Sequence, residues 1–133
     1  MIEKLLLLQK NAYAPISHFP VSSIIVTKDG REFPGVNVED ASTRAGTCAE
    51  RAALDSMITA GYKKGDVKEV NVMIHGGEIG TPCFVCRQML VELCDLDTPV
   101  NCYSTKGEVK TYTVRELCPH PFTEDDLVWK VDL

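Results

Sequence analysis

Apolar and polar positions follow two different rhythms along this chain, and the changes between them mark its elements. From Ile2 to Asn11 the spacing is helical, and Leu5, Leu6, Leu7 and Leu8 cover most of the circumference. A helix apolar nearly all round is expected to be buried on two sides, with another subunit as a candidate for the second. Ala14-Pro15-Ile16 breaks it. Val21 to Lys28 is β-rich, Asp29-Gly30 is a turn, and Arg31 to Val38 returns, which together read as a hairpin. Cys48 to Ala60 regains the helical period, with Ala49, Ala52, Ala53, Leu54, Met57 and Ile58 on a wide apolar face and Gly61 as the stop.

Glu69 to His75 alternates, with Val70, Val72 and Ile74 on one side, and reads as a strand. Gly76-Gly77 and Gly80 mark a loop, and Pro82 precedes a helix from Phe84 to Leu93. Val100 to Thr105 and Val109 to Val114 are two further strands around Lys106-Gly107, and a short helix is expected over Thr113 to Leu117. Five strands interleaved with helices imply an α/β sheet covered on both faces. A hairpin first and crossovers later imply a mixed sheet. With no repeat, low-complexity tract or linker in 133 residues, residues 1–133 read as a single domain.

Composition narrows the function. Charged residues are 25% of the chain and the formal net charge is -5, so there is no basic footprint for a nucleic acid polymer. Lys63, Lys64 and Lys68 cluster, but three lysines around a helix end read as a solvated turn. The four-leucine run is too short for a membrane span or a secretory leader, so a cytoplasmic protein without a membrane partner is expected. Six cysteines, without a leader and in a chain able to bury a core, point to thiolate chemistry rather than disulfides. Cys94, Cys102 and Cys118 lack ligand spacing and read as small buried hydrophobes.

The remaining three do have such spacing. Cys83 and Cys86 lie three apart across the first turn of one helix, and Cys48 begins another. Helix N-termini favour thiolate over thiol, and zinc suits three thiolates. Three protein ligands leave a fourth position for water, as in catalytic zinc sites. Glu50, two residues after Cys48, fits a proton shuttle beside that metal. Three thiolates make the cluster negative, and Arg51 or Arg87 could offset this by donating to sulfur. One competing reading is a structural zinc knuckle with a fourth ligand, such as Cys94 or a histidine. Another is a redox pair, which would need to follow a strand in a βαβ unit and would leave Cys48 and Glu50 without a role.

These segments resemble the zinc-dependent cytidine deaminase family, of the small three-cysteine type. The similarity runs from Asn11-Ala12-Tyr13-Ala14-Pro15 through Phe19-Pro20-Val21 and Gly35-Val36-Asn37-Val38-Glu39-Asp40-Ala41-Ser42 to both cysteine segments. It ends in Thr113-Val114-Arg115-Glu116-Leu117 and Phe122. The resemblance implies a three-layer α/β/α cytidine deaminase-like fold with a five-stranded mixed sheet. It implies one zinc per subunit on Cys48, Cys83 and Cys86, with Glu50 as catalytic shuttle and Arg51 donating to the thiolates. Phe19 would pack on the pyrimidine, and Asn37 and Glu39 would bind ribose hydroxyls. Phe122 would reach a neighbouring site in a homotetramer. The implied reaction is hydrolytic deamination of cytidine and deoxycytidine in pyrimidine salvage.

Three stretches depart from the family pattern: Ser22-Ser23-Ile24 where Gly-Ala-Ala is usual, Thr43-Arg44 where Tyr-Gly is frequent, and Phe84-Val85 between the paired cysteines. They leave room for another aminated pyrimidine nucleoside, such as blasticidin S. Arg44 is either a contact to a substrate phosphate or an intersubunit salt bridge, the latter being the plainer expectation. A polynucleotide substrate is disfavoured by the acidic balance. A zinc-stabilised binding module is disfavoured because it has no need for Glu50.

Overall fold

The computed structural model describes residues 1–127. Ten elements follow one another: α1 (Ile2–Gln9), β1 (Ser22–Thr27), β2 (Glu32–Val36), α2 (Ala49–Thr59), β3 (Val67–Met73), α3 (Phe84–Leu93), β4 (Pro99–Tyr103), β5 (Val109–Thr113), the one-turn α4 (Val114–Leu117) and a 3-10 turn over Glu124–Leu127. The sheet order is β2-β1-β3-β4-β5. β3 and β4 are parallel, and every other neighbouring pair is antiparallel. This is the mixed five-stranded sheet the pattern predicts.

Burial explains the layers. All six residues of β1 are buried, as suits a central strand covered on both faces. On one face Leu5 of α1 packs with Ile24, Val26 and Met73. On the other, Ile25, Val70, Val72 and Val100 meet Ala53, Leu54 and Met57 of α2 and Leu90 and Val91 of α3. Each fully buried side chain of Leu or Met size contributes roughly 2 kcal/mol of transfer free energy. β2 is the outer strand, so Pro34 withholds no donor the ladder needs.

Three expectations shift. β3 begins at Val67 and ends at Met73 rather than running from Glu69 to His75. Its partner β1 ends opposite Met73 at Ser22, so Ile74 has no ladder to continue. β2 stops at Val36 rather than Val38, and Val38 instead bridges Tyr13 and Thr47. The leucines of α1 are covered by their own chain on one side only: Leu5 is fully buried, whereas Leu7 is 68% exposed.

Candidate active site

Two helix starts build the centre of the site. Cys48 caps the N-terminus of α2 and Cys83 that of α3, both in extended backbone and neither side chain capping the helix. Their sulfurs are therefore free to face each other, 3.7 Å apart. Cys86, one turn into α3 and buried, completes a cluster whose three sulfurs lie within 4.8 Å of one another. A tetrahedral zinc ion with bonds of about 2.3 Å sets its sulfurs about 3.8 Å apart, so the donor set fits one zinc. Cys94 and Cys102 are buried elsewhere in the core, and Cys118 is half-buried. None supplies a fourth ligand. The Cys83–Cys86 pair does sit in a βαβ unit, β3-α3-β4, but the third sulfur within reach makes it part of a metal cluster rather than a redox pair.

Charge is arranged around these sulfurs. Hydrogen bonding with Cys86, and then with Arg51 and Cys83, pulls the Cys48 thiol down to about 5. The same pairing with Cys48, together with burial and the Glu50 charge, pushes Cys86 up. The Arg51 Nη2 donates to Cys48 Sγ at 3.6 Å. Its Nε is buried and has no partner among the described residues. Arg87, the other candidate, does not serve the sulfurs. It donates to the Pro82 carbonyl at 2.7 Å, the Leu117 carbonyl at 2.6 Å and Thr81 Oγ1 at 2.7 Å, and it lies 4.3 Å from the Phe84 ring centroid. Its role is to tie the start of α3 to α4.

Glu50 is 4% exposed in the first turn of α2. Burial first, and the Cys48 charge second, raise its carboxyl to about 7. Beside it opens a cleft of about 340 Å³, lined by Phe19, Val21, Asn37, Glu39, Glu50, Ile74 and Thr81 with Cys48 and Cys83. A second hollow, of about 350 Å³, adjoins it and shares Ser17, Asn37, Glu39 and Cys48. Both fall in the size range of small-molecule sites.

The walls are held by backbone. Glu39 N–H donates to the Tyr13 carbonyl, and Val38 and Thr47 exchange both hydrogen bonds. The segment 37–39 is thus stapled between two loops. Asn37 points its amide at the chain as well as the cleft: Oδ1 accepts from Val21 N–H at 2.8 Å, and Nδ2 donates to the Phe19 carbonyl at 2.9 Å. One donor and one acceptor site remain on that amide. Phe19 meets the His75 ring edge-on at 6.1 Å between centroids, so His75 is exposed but not idle.

The predicted site residues do not all meet. Cys48, Cys83, Glu50, Phe19, Asn37 and Glu39 share the cleft, with Cys86 behind it and Arg51 in the adjoining hollow. Phe122 is 55% exposed and does not line its own chain's cleft; its carbonyl accepts from Gln88 Nε2 at 2.8 Å. Arg44 is exposed, with no ion pair among the described residues. Its neighbour Thr43 lines the adjoining hollow, whereas the other two departures line neither space. Ser22 and Ser23 are buried and donate to the Leu5 and Asn71 carbonyls, while Phe84 is 74% exposed under Arg87. Ser17, Ile74 and Thr81 line the cleft without any signal in the sequence pattern that singles them out.

Comparison with known proteins agrees with this geometry. The family model of the cytidine and deoxycytidylate deaminase zinc-binding region matches residues 1–102. The chain is 35% identical over 127 residues to a cytidine deaminase of Halalkalibacterium halodurans, covering 96% of this chain and 95% of that protein. It is 34% identical over 122 residues to a cytidine deaminase of Mycoplasma genitalium, covering 92% of each. Its fold superposes on the crystal structure of cytidine deaminase from Burkholderia pseudomallei with a TM-score of 0.87 at 37% identity, covering 91% of this chain and 95% of that one. A three-sulfur cluster of zinc dimensions with a buried glutamate beside it, on this fold and with these relatives, means that the chain belongs to the zinc-dependent cytidine deaminase family.

Proposed function

We propose that the protein hydrolyses the exocyclic amine of cytidine and deoxycytidine, giving uridine, deoxyuridine and ammonia, as a cytoplasmic enzyme of pyrimidine salvage. One observation carries this reading: Glu50 is buried in the same cleft as two sulfurs of the zinc-sized cluster and the Phe19 ring. Cys48, Cys83 and Cys86 would hold the zinc ion, which when bound would supply a Lewis acid able to activate water at neutral pH.

The chain's own groups do the rest. A carboxyl raised to about 7 can both accept and give a proton near neutrality. Glu50 takes a proton from the attacking water and passes it to the ring nitrogen. It then carries the second to the amine, which leaves as ammonia. Arg51 offsets thiolate charge and preserves the electrophilicity of the metal. Phe19 packs on the pyrimidine, and Asn37 and Glu39 receive the sugar hydroxyls. Phe122, exposed and turned from its own cleft, suits contact with a neighbouring subunit of a homotetramer.

The alternative of another aminated nucleoside is not favoured. Its support lay in three departures from the family pattern, of which Ser22-Ser23, Phe84-Val85 and Arg44 line neither the cleft nor the adjoining hollow, and Thr43 alone reaches the hollow. The relatives described above are cytidine deaminases by name. The test is ammonia release from cytidine, deoxycytidine and blasticidin S by wild type and Glu50→Gln. Expected is turnover of the first two, reduced by at least about a hundredfold in the variant with zinc content unchanged. Turnover of blasticidin S alone, or full activity in the variant, would overturn the reading.

A further inference from the structure

Ser17 joins the two walls of the cleft. Its hydroxyl donates to Glu39 Oε2 and accepts from the Phe19 N–H at 3.1 Å. The N–H groups of Ile16 and Ser17 both donate to Glu39 Oε1, each at 3.0 Å. A carboxylate has about four acceptor sites. Three are thus filled from this one turn, and the fourth lies on Oε2, the oxygen held by the Ser17 hydroxyl. The same donors, the hydroxyl foremost, hold the Glu39 carboxyl below the usual carboxylate range and keep it an acceptor.

The backbone shows how the turn is made. His18 takes a left-handed conformation, φ 55, which is disfavoured for a residue with a Cβ. Its N–H closes the turn on the Ala14 carbonyl at 3.0 Å, leaving two successive N–H groups aimed at one oxygen. The two neighbours of Ser17 depend on it unequally. Phe19 keeps its hydrogen bond from Asn37 and its contact with His75. Glu39 Oε2 has no partner but Ser17 Oγ among the described residues.

We propose that Ser17 is a positioning residue for sugar recognition: its hydroxyl fixes Glu39 so that the last acceptor site on Oε2 meets a single hydroxyl of the nucleoside sugar. This rests on the deaminase reading above. It makes Ser17 a determinant of which sugars are accepted, with no part in proton transfer.

The experiment is steady-state kinetics of the zinc-loaded wild type, Ser17→Ala, Ser17→Thr, Glu39→Gln and the Ser17→Ala/Glu39→Gln double variant, on cytidine and on dideoxycytidine, which lacks both ring hydroxyls of the sugar. Ser17→Ala is expected to raise the cytidine KM about tenfold, the loss of a charge-assisted hydrogen bond. Its kcat, and its KM for dideoxycytidine, should stay within about twofold of wild type. Ser17→Thr, which retains the hydroxyl, should recover most of the loss. In the Glu39→Gln background Ser17→Ala should add less than about twofold, because the two act as a unit. Equal KM shifts on both nucleosides, additive effects, or an unchanged cytidine KM would each overturn the proposal while leaving the deaminase reading intact. A wild type inert on both nucleosides would overturn that reading first and the proposal with it.

Discussion

Glu50 and Cys48 are two residues apart and titrate in opposite directions, because burial outweighs the hydrogen-bond donors at the first and the donors outweigh burial at the second. Glu50 rises from 4.5 to about 7, so the native state keeps a proton that the unfolded chain releases. Stability from this group is therefore complete below about 4.5 and declines as pH rises towards 7. In metal-free protein, the unfolding free energy of wild type relative to Glu50→Gln should fall by roughly 3 kcal/mol across that window and then level off. A difference that is flat with pH in urea melts would show that burial does not raise this carboxyl. Arg51 makes a separate prediction. Its hydrogen bond to Cys48 Sγ implies that Arg51→Ala weakens zinc binding about 10–100-fold in chelator competition. Unchanged affinity would confine Arg51 to packing.

At the scale of elements, the start of α2 is set by how closely it lies on β2. A Cβ built on Gly35 would stand 2.4 Å from the Ala49 carbonyl oxygen and 2.5 Å from the Ala53 nitrogen. These are backbone atoms, so no rotamer change can make room. Gly35→Ala must push α2 outward, carrying Cys48 and Glu50 with it. The expected result is a loss of about 1–3 kcal/mol in stability, the range for overpacking, with activity falling further than the residual folded fraction explains. Wild-type melting and turnover in Gly35→Ala would mean that α2 tolerates displacement. Spacing along the chain predicts α2 and α3 within a residue or two, since their apolar faces, the stop at Gly61 and the Pro82 before α3 are local features. It does not reveal that β2 needs a glycine, because that need arises from a contact between segments far apart in sequence.

Over the described part of the molecule, the metal cluster sits at the starts of α2 and α3, and the core cluster between sheet and helices is built from other residues. The sheet and its covering helices bury Leu54, Met57, Val70, Val72, Leu90 and Val100 completely or nearly so, and none of these is one of the three cysteines of the cluster. Chelation should therefore abolish turnover and lower the melting temperature, because zinc binds only the native state. The far-UV circular dichroism should remain that of the folded protein, unlike a zinc finger, which unfolds without its metal. Loss of that signal on chelation would make the metal part of the core. No helix of the described residues is long and apolar enough to cross a membrane. α1 is covered by its own chain on one side only, and Phe122 is exposed.

The sequence by itself determines the elements, because alternation, helical spacing and turn residues act over a few positions. It also singles out Cys48, Cys83 and Cys86 as a set able to hold one metal ion, with Glu50 as the carboxylate next to it in sequence, because their spacing is local. Only the tertiary structure decides how those residues are employed. Arg51 and Arg87 look equivalent in sequence, yet one reaches sulfur and the other donates to three oxygens, of Pro82, Thr81 and Leu117. Ser22 and Ser23 look like pocket residues, yet both point into the layers beside β1. Ser17 looks like nothing in particular, and becomes the partner of Glu39 because a left-handed turn at His18 folds it back across 22 residues of chain. Hydrogen-bond direction and contact between distant segments are properties of the packed molecule, so no periodicity along the chain records them.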